Sequence, residues 1–475
     1  MKMSHALFTV ILLEGFIVLA VELLAIRQLL PFVGSSTDVV AIVIAAVLMP
    51  LSFGYYAGGN FKMKRLAKHG KTQTIRQKLL ANMLVASVFF LGAVSYPLLV
   101  LFFEFLKAMG VEGERLKTAI FAGLFLVYPV FLMGQTIPLV TNYFKYHKLS
   151  DITGRVLFFS TLGSFGGSIV STIVLMATIG VHNTVIVIFG LVLAIVVLLS
   201  RQLKTRTVFY AIVLFVLAAL LNNNDVMKAF KVVSNNQYSI IKVFVDEEKQ
   251  LVDLNINHSN SARMAQNYES MFDYLQFMEN MFIKPVVEDD NLPAMDILIL
   301  GAGGFTMGYG DTKNAYSYVD VDRDLLEIAE TYLLENPLEE NKKFYPQGAR
   351  AFLSETQKKF DLIVVDLYSN DISIPSHLIT QEFYQSVKRH LKPGGIVTMN
   401  IIAKPYFGDD FSLNIDETIR SVFFPVNRHL VHGYSPWKNK DAEVNLVYVY
   451  VDNKPSPRQV KIYTDNLNTY YLDKD

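Results

Sequence analysis

Three short stretches in the C-terminal half carry residues that could bind a nucleoside. A glycine-rich turn at residues 301–304 follows the apolar run Asp296–Leu300, Asp320 ends a second apolar run, and Asp366 ends a third. Glycine has no Cβ, so its backbone can approach a ligand closely. An acid about 20 residues after such a turn commonly bonds ribose hydroxyls. Glycine turns alone often serve only packing, but together the three stretches predict one nucleotide-binding crevice.

Apolar strands that alternate with helices are predicted to position these residues. The strands are read at residues 296–300, 316–320, 360–366, 396–402 and 444–451, and the helices at 323–334 and 381–391. This alternation predicts a parallel doubly wound sheet, a Rossmann-like (methyltransferase-type) α/β fold. In such a sheet, ligands bind at the carboxyl ends of the strands.

A different pattern precedes the predicted sheet. Residues 238–245 and 251–256 alternate like a β-hairpin across a polar turn. A helix-like segment at 266–282 follows the hairpin, and residues 337–343 have the composition of a solvated loop.

The N-terminal half has the composition of a membrane protein. Charged residues make up only 18% of the 475 residues, against about 25% in typical soluble proteins. A helix needs about 20 apolar residues to cross a bilayer. Seven segments are candidates: 6–30, 39–56, 79–105, 119–143, 156–179, 184–199 and 208–221. We therefore predict a multi-span α-helical membrane bundle at 1–225, a β-hairpin and linking helix at 226–290, and the Rossmann-like domain at 291–475.

The distribution of charge bears on topology and partners. The second predicted loop is strongly basic, with Lys62, Lys64, Arg65, Lys68, Lys71 and Arg76. The positive-inside rule then puts this loop and the N-terminus in the cytoplasm of a multi-pass plasma-membrane protein. An odd number of spans would leave the C-terminal domain outside, and one missed segment would reverse this, so its side stays open. The net charge of zero argues against a nucleic-acid partner. No cysteine is present and the histidines lack metal-ligand spacing, so no metal site is expected.

Three charged residues fall inside the first predicted span. Glu14, Glu22 and Arg27 should face the interior of the bundle, because an unpaired charge in hydrocarbon is expensive. They could form a site for a polar substrate or ion, or a structural ion pair. Arg27 could instead extend to the headgroups.

Two other patterns in the spans indicate structure rather than ligand binding. Gly163 and Gly167 belong to a stripe of small residues in the fifth span, which is typical of close helix packing. Pro129 and Pro138 in the fourth span predict a bent helix with freed backbone groups.

Several motifs together resemble a known family. They are DILILGAGG, YVDVDRDLLEIAE, FYPQGARAFL and the long block FDLIVVDLYSNDISIPSHLITQEFYQSVKRHLKPGGIVTMN. This set resembles the spermidine/spermine synthase (polyamine aminopropyltransferase) family. It is most similar to the membrane-fused branch, to which ELLAIRQLLPFVGSS and LMGQTIPL of the first and fourth spans are also similar. Plain methyltransferases share the glycine turn but usually lack a preceding β-hairpin.

The resemblance implies roles for individual residues. The nucleoside side of the co-substrate, decarboxylated S-adenosylmethionine or S-adenosylmethionine itself, would be held by Gly301, Gly303, Gly304, Asp320 and Ala349. Asp366 would orient and deprotonate the attacking amine, because an ammonium ion is no nucleophile. The groove for the polyamine or diamine would be lined by Tyr238, Tyr274 and Tyr368. No tightly bound cofactor is expected; the partners would be the diamine, the lipid bilayer and, in a homodimer, a second copy.

Departures from the family pattern leave alternatives open. Where the family has Gly-Asp-Ala, this chain has Gln347, Gly348 and Ala349, so the acid that bonds the adenine is missing. The distance from Gly301 to Asp320 is about one helical turn shorter than expected, which predicts a shortened helix after the glycines. The main prediction is a spermidine synthase-like aminopropyltransferase. The alternatives are a nucleoside- or polyamine-sensing domain coupled to a transporter-like bundle, and a methyltransferase.

Overall fold

The computed structural model describes residues 3–34, 36–61, 75–144, 149–200, 206–246, 248–265, 272–368, 374–431 and 442–452. The chain forms two compact units. The first comprises Met1–Arg263 with Tyr368–Pro375, and the second comprises Met264–Leu367 with Ser376–Asp475.

The first unit is built mainly from long apolar helices. They are α1 (Met3–Val33), α2 (Thr37–Gly59), α3 (Ile75–Val94), α4 (Tyr96–Ala108), α5 (Glu114–Ala122), α6 (Tyr128–Gly134), α7 (Thr136–Tyr143), α8 (Leu149–Ile169), α9 (Gly180–Leu199), α10 (Arg206–Leu221) and α11 (Asn224–Ala229). Within the described ranges, seven helical stretches are long and apolar enough to cross a membrane. Seven is also the number that the sequence predicts.

The third predicted span, at residues 79–105, is wrong as a single helix. The structure divides it between α3 and α4 at Ser95, whose backbone is extended. Pro97 lies in the first turn of α4, where its missing N–H costs nothing. A proline in the middle of a continuous helix would remove one backbone hydrogen bond, so the chain begins a new helix here instead.

The predicted irregularity of the fourth span is confirmed. A π-helical segment, Gly123–Val127, separates α5 from α6 and immediately precedes the turn that contains Pro129. A second break at Gln135 separates α6 from α7, which contains Pro138. Breaks at prolines and π segments are the usual causes of kinks in long helices.

Close packing of α1 against α8 confirms the interpretation of the small-residue stripe. A Cβ on Gly163 would collide with the carbonyl oxygen of Leu12, and one on Gly167 with that of Phe16. A second π segment, Val170–Met176, continues α8. Backbones this close leave no room for larger side chains, so these glycines are structural.

Arg27 is buried near the end of α1. Its side chain is 5% exposed, so it does not extend to a surface. Its Nε donates to the carbonyl oxygen of Asn236 at 2.8 Å, and a terminal nitrogen contacts the side-chain oxygen of Asn235 at 3.4 Å. The guanidinium therefore joins α1 to the loop after the first strand of a small sheet.

That sheet has four strands, in the order β1 (Val232–Asn235), β2 (Ile240–Asp246), β3 (Leu251–Ile256) and β4 (Ser259–Ala265). The predicted hairpin corresponds to β2 and β3, which pair antiparallel with Ile241 opposite Ile256. The sequence did not predict β1 and β4. The first is four residues long, and the second is mostly small and polar, so neither has an alternating apolar pattern.

A seven-stranded sheet forms the second unit. Its strands are β5 (Asp296–Leu300), β6 (Ala315–Asp320), β7 (Lys342–Pro346), β8 (Phe360–Val365), β9 (Leu391–Ala403), β10 (Val426–Leu430) and β11 (Val444–Val451). They lie in the order β10-β11-β9-β8-β5-β6-β7. Side chains of the central strands, such as Ile297, Leu298 and Ile363, are fully buried and form the core.

The prediction of a wholly parallel sheet is wrong at one edge. The parallel part of the sheet consists of β9, β8, β5, β6 and β7, in that order. In contrast, β11 is antiparallel to both of its neighbours, β9 and β10. After β10 the chain turns back and inserts β11 between β10 and β9, so β11 must run in the opposite direction. The fold is therefore Rossmann-like with a mixed sheet.

Helices connect these strands. They are α12 (Asp273–Met278) with a π-helical continuation (Glu279–Ile283), α13 (Lys284–Glu288), α14 (Asp324–Tyr332), α15 (Ala349–Glu355), α16 (Gln381–Arg389) and α17 (Asp410–Val422), with a 3-10 turn at Ser376–Leu378. The helix predicted at 266–282 is observed from Asp273 onward, and residues 266–271 lie outside the described ranges.

The solvated loop predicted at residues 337–343 is partly wrong, because β7 begins at Lys342. The ammonium of Lys342 lies 2.8 Å from the carboxylate of Glu339 and over the ring of Tyr316, 5.6 Å from its centroid. The charge of a lysine alone does not predict a strand residue. Lys342 fits in β7 because its aliphatic stem is buried.

Candidate active site

Neighbouring strand ends bring the glycine turn, Asp320 and Asp366 together. In the parallel register, Leu300 at the end of β5 lies opposite Val319 of β6 and Val365 of β8. The N–H of Gly301 donates to the carbonyl oxygen of Val319, and the N–H of Asp366 donates to that of Leu300, both at 2.9 Å. The three stretches singled out in the sequence are therefore adjacent at the carboxyl ends of the central strands.

The glycine turn has a backbone that glycine adopts most readily. Gly301 has φ of 95° and Gly303 has φ of 52°. A Cβ on Gly301 would also collide with the carbonyl oxygen of Asp366. Gly304 is buried and completes the turn. Gly301 is therefore needed for the approach of β8, whatever it contributes to a ligand.

Asp320 fixes the turn from the neighbouring strand. One of its carboxylate oxygens accepts from the N–H of Ala302 at 3.1 Å, and the other accepts from the N–H of Asp322 at 3.0 Å. Burial raises the pKa of Asp320 to about 6, although these backbone bonds oppose the rise. The carboxylate therefore changes its charge in mildly acidic solution.

The segment after the turn departs from the usual Rossmann arrangement. All of residues 301–314 are described, and they form turns without any helix, so the predicted shortening is confirmed and is complete. Carboxylates hold this segment instead: Glu279 accepts from the N–H of Gly308 at 2.8 Å, and Glu339 accepts from that of Gly310 at 3.2 Å. No helix N-terminus faces the crevice here, so ligand contacts from this side must come from the turn itself.

Asp366 lies just past the end of β8 and is partly buried. One carboxylate oxygen accepts from the hydroxyl of Tyr274 at 2.7 Å, and the other accepts from Nδ2 of Asn400 at 3.0 Å. Burial raises the pKa of Asp366, while these two hydrogen bonds act in the opposite direction. The two donors fix the orientation of the carboxylate and leave further lone pairs for a ligand.

Asn400 is a site residue that sequence reasoning missed. It lies on β9, next to β8, and is 3% exposed. Its side-chain oxygen is buried and has no hydrogen-bond partner among the described residues. A signal was present, because this asparagine interrupts the largely apolar run at residues 396–403, but its partner is 34 residues away in the chain.

The other predicted site residues are spread over both units. Tyr274 bonds Asp366 and stacks on Phe272, with ring centroids 5.9 Å apart. Ala349 is buried at the first position of α15, three residues after the end of β7. Tyr238, which is 42% exposed, and Tyr368 belong to the first unit, and their roles stay predictions.

Comparison with known proteins identifies the sheet region. Residues 309–432 match the family model described as the spermine/spermidine synthase domain. This segment is similar to the spermine/spermidine synthase domain, and we refer to it below as the synthase domain. The synthase domain includes both Asp320 and Asp366, and the predicted resemblance to this family is confirmed.

Curated relatives of the synthase domain are named polyamine aminopropyltransferases. The protein from Oceanobacillus iheyensis is 25% identical over 303 residues, which cover 58% of this chain and 56% of that protein. The protein from Sulfurisphaera tokodaii is 34% identical over 164 residues, which cover 32% of this chain and 52% of that protein. The chain thus spans about half the length of these two relatives.

Solved spermidine synthases are also similar to this chain. A probable spermidine synthase from Corynebacterium glutamicum is 19% identical with a TM-score of 0.39, covering 47% of this chain and 81% of that one. The spermidine synthase from Thermotoga maritima is 17% identical with a TM-score of 0.35, covering 50% and 82%.

Proposed function

We propose that the protein is a membrane-anchored aminopropyltransferase. It would transfer an aminopropyl group from decarboxylated S-adenosylmethionine to a diamine such as putrescine. The observation that carries the proposal is the carboxylate of Asp366, which lies in the segment matched to the synthase domain and is oriented by two donors beside the glycine turn. The names of the curated relatives support the same reaction class.

The reaction needs a base and good alignment. The amine nitrogen uses its lone pair to bond the aminopropyl carbon next to the sulfonium. The carbon–sulfur bond breaks, its electron pair neutralises the sulfur, and methylthioadenosine leaves. An ammonium ion has no lone pair, so Asp366 accepts its proton. The same carboxylate attracts both cationic reactants and holds them in line.

The environment of Asp366 suits this role. Burial makes its carboxylate a stronger base than an exposed aspartate, because burial raises its pKa. The hydrogen bonds from Tyr274 and Asn400 limit that rise. On the nucleoside side, Asp320 would bond the ribose, and the backbone of the glycine turn and Ala349 would contact the remainder.

The helical part supports membrane anchoring. Seven stretches have the length and hydropathy of membrane spans. Many of their large apolar side chains, such as Leu48, Phe53 and Phe165, are exposed on the surface of the helices. Contiguous exposed apolar surface is unfavourable in water but suits lipid. We therefore propose that residues 1–225 lie in the plasma membrane.

The test is an assay of the full chain in detergent or nanodiscs with decarboxylated S-adenosylmethionine and putrescine. Release of methylthioadenosine is expected from the wild type, and Asp366→Asn should lower the rate by about 10²- to 10⁴-fold. Glu355→Gln, which removes an exposed acid at the end of α15, is the matched control and should leave the rate unchanged. The proposal would be refuted if the wild type released no methylthioadenosine under conditions in which a soluble spermidine synthase is active.

A second candidate is a sensing domain that binds a nucleoside without turnover. Two observations favour it: no helix follows β5, and Gly348 stands where the family carries an acid. In the same assay it predicts saturable binding of methylthioadenosine but no product. A methyltransferase would instead be recognised by a product that gains one methyl group in mass.

A further inference from the structure

The helical bundle contains a cavity that the synthase reaction does not use. It lies between α1, α2, the α6–α7 break and α8, and its volume is about 60 Å³. By this measure a single water molecule needs roughly 10–15 Å³, so the cavity has room for a small organic group. All of its lining residues belong to the first unit.

A buried carboxylate forms one wall of the cavity. Glu14 of α1 is only 6% exposed, and the hydroxyl of Thr136 bonds its side chain. No ion pair of Glu14 occurs within the part of the chain that the structure describes. A buried carboxylate without a cation is costly, so a cation in the cavity would offset that cost.

The helices around the cavity pack closely, so the space is not a result of loose packing. A Cβ on Gly54 would collide with the carbonyl oxygen of Phe131, and one on Gly134 would lie 2.7 Å from that of Leu51. Gly134 lines the cavity, and Pro138, four residues later, has no N–H to donate to its carbonyl oxygen. The break between α6 and α7 thus contributes residues to the wall of the cavity.

The remaining lining determines which cation fits. Thr136, Ser160 and Ser164 contribute hydroxyls, and the other walls are largely aliphatic. Glu14 is the one carboxylate of this lining, so a divalent metal ion would keep an unbalanced charge in the cavity. An alkylammonium has one charged end for Glu14 and a carbon chain for the aliphatic walls.

The cavity also has an aromatic side. Tyr55 of α2 lines the cavity and is 40% exposed, so this residue extends from the cavity towards the outer face of the bundle. A tyrosine face attracts a cationic headgroup. We propose that this cavity binds a primary alkylammonium ion, with Glu14 as its counter-ion and the ring of Tyr55 at its entrance.

The test is isothermal titration of the full chain in nanodiscs with butylammonium chloride. The titration uses the Asp366→Asn variant, which lacks the proposed amine site of the synthase domain. Binding to this variant therefore tests the cavity alone, so failure of this proposal can be distinguished from failure of the proposed function. Saturable binding is expected, and Glu14→Gln should weaken it at least tenfold. Glu22→Gln is the matched control, since it removes an acid of the same helix that does not line the cavity.

Further arms keep the proposal falsifiable if Glu14→Gln folds poorly. Leu51→Phe, which narrows the cavity from α2, should also weaken binding, and choline chloride should not displace butylammonium. Absence of saturable binding to protein that carries Glu14 would overturn the proposal. Equal binding of butylammonium by folded Glu14→Gln would also overturn it. Displacement of butylammonium by sodium chloride but not by choline chloride would overturn it too, because that result would indicate an alkali-ion site.

Discussion

Lowering the pH should weaken nucleoside binding through Asp320. Burial raises the pKa of this carboxyl to about 6. Only the ionised form accepts hydrogen bonds from both ribose hydroxyls, so affinity is retained above this pKa and lost as the pH falls through it. At pH 5 roughly one molecule in ten is ionised, so the Kd should be about tenfold higher than at pH 8, or about 1.4 kcal/mol. An aspartate of ordinary pKa, about 3.9, would give almost no change over this range.

Calorimetric titration of the full chain with methylthioadenosine at pH 5, 6, 7 and 8 measures this dependence. Asp320→Asn should bind more weakly and with the same affinity across the series. Glu327→Gln, which removes an exposed acid of α14, should keep the wild-type slope. Equal affinity of the wild type at pH 5 and pH 8 would refute the reasoning, as would an unchanged slope in Asp320→Asn.

Two further predictions concern the same crevice. Gly348→Asp should strengthen methylthioadenosine binding several-fold in the same titration: nothing lies within 4 Å of an added Cβ, and Gly348 precedes α15 with an extended backbone that suits an aspartate cap. Weaker binding would contradict this. Asn400→Leu removes a bond that lowers the pKa of Asp366. The loss of methylthioadenosine release on acidification should therefore begin at a higher pH, and kcat should fall by a larger factor than KM rises. An unshifted pH profile would show that Asn400 does not position the base.

The strands around the crevice were predictable because their signals are local. The apolar runs Asp296–Leu300 and Val444–Val451 match β5 and β11 at both ends. The acids Asp320 and Asp366 follow such runs directly, so parallel pairing alone brings them to one edge. Pattern and position along the chain were sufficient for this part.

The parts that were missed depend on contacts distant in sequence. Asn400 acquires its role only because β9 pairs with β8. Likewise, the direction of β11 is set by β10, a strand without a clear pattern. Lys342 is a strand residue because the ring of Tyr316 covers its stem. None of these contacts can be recognised from the local amino-acid composition.

The helix-free segment after β5 has a consequence for selectivity. Dinucleotide-binding folds neutralise a pyrophosphate with the N-terminus of the helix that begins here. This protein presents two carboxylates, Asp320 and Asp366, at the same edge, and Glu279 and Glu339 occupy the backbone amides further along. If the crevice binds an adenosine derivative as proposed, phosphorylated adenosines would meet repulsion with no compensating dipole. The crevice would then favour ligands whose sugar carries a neutral or cationic sulfur substituent.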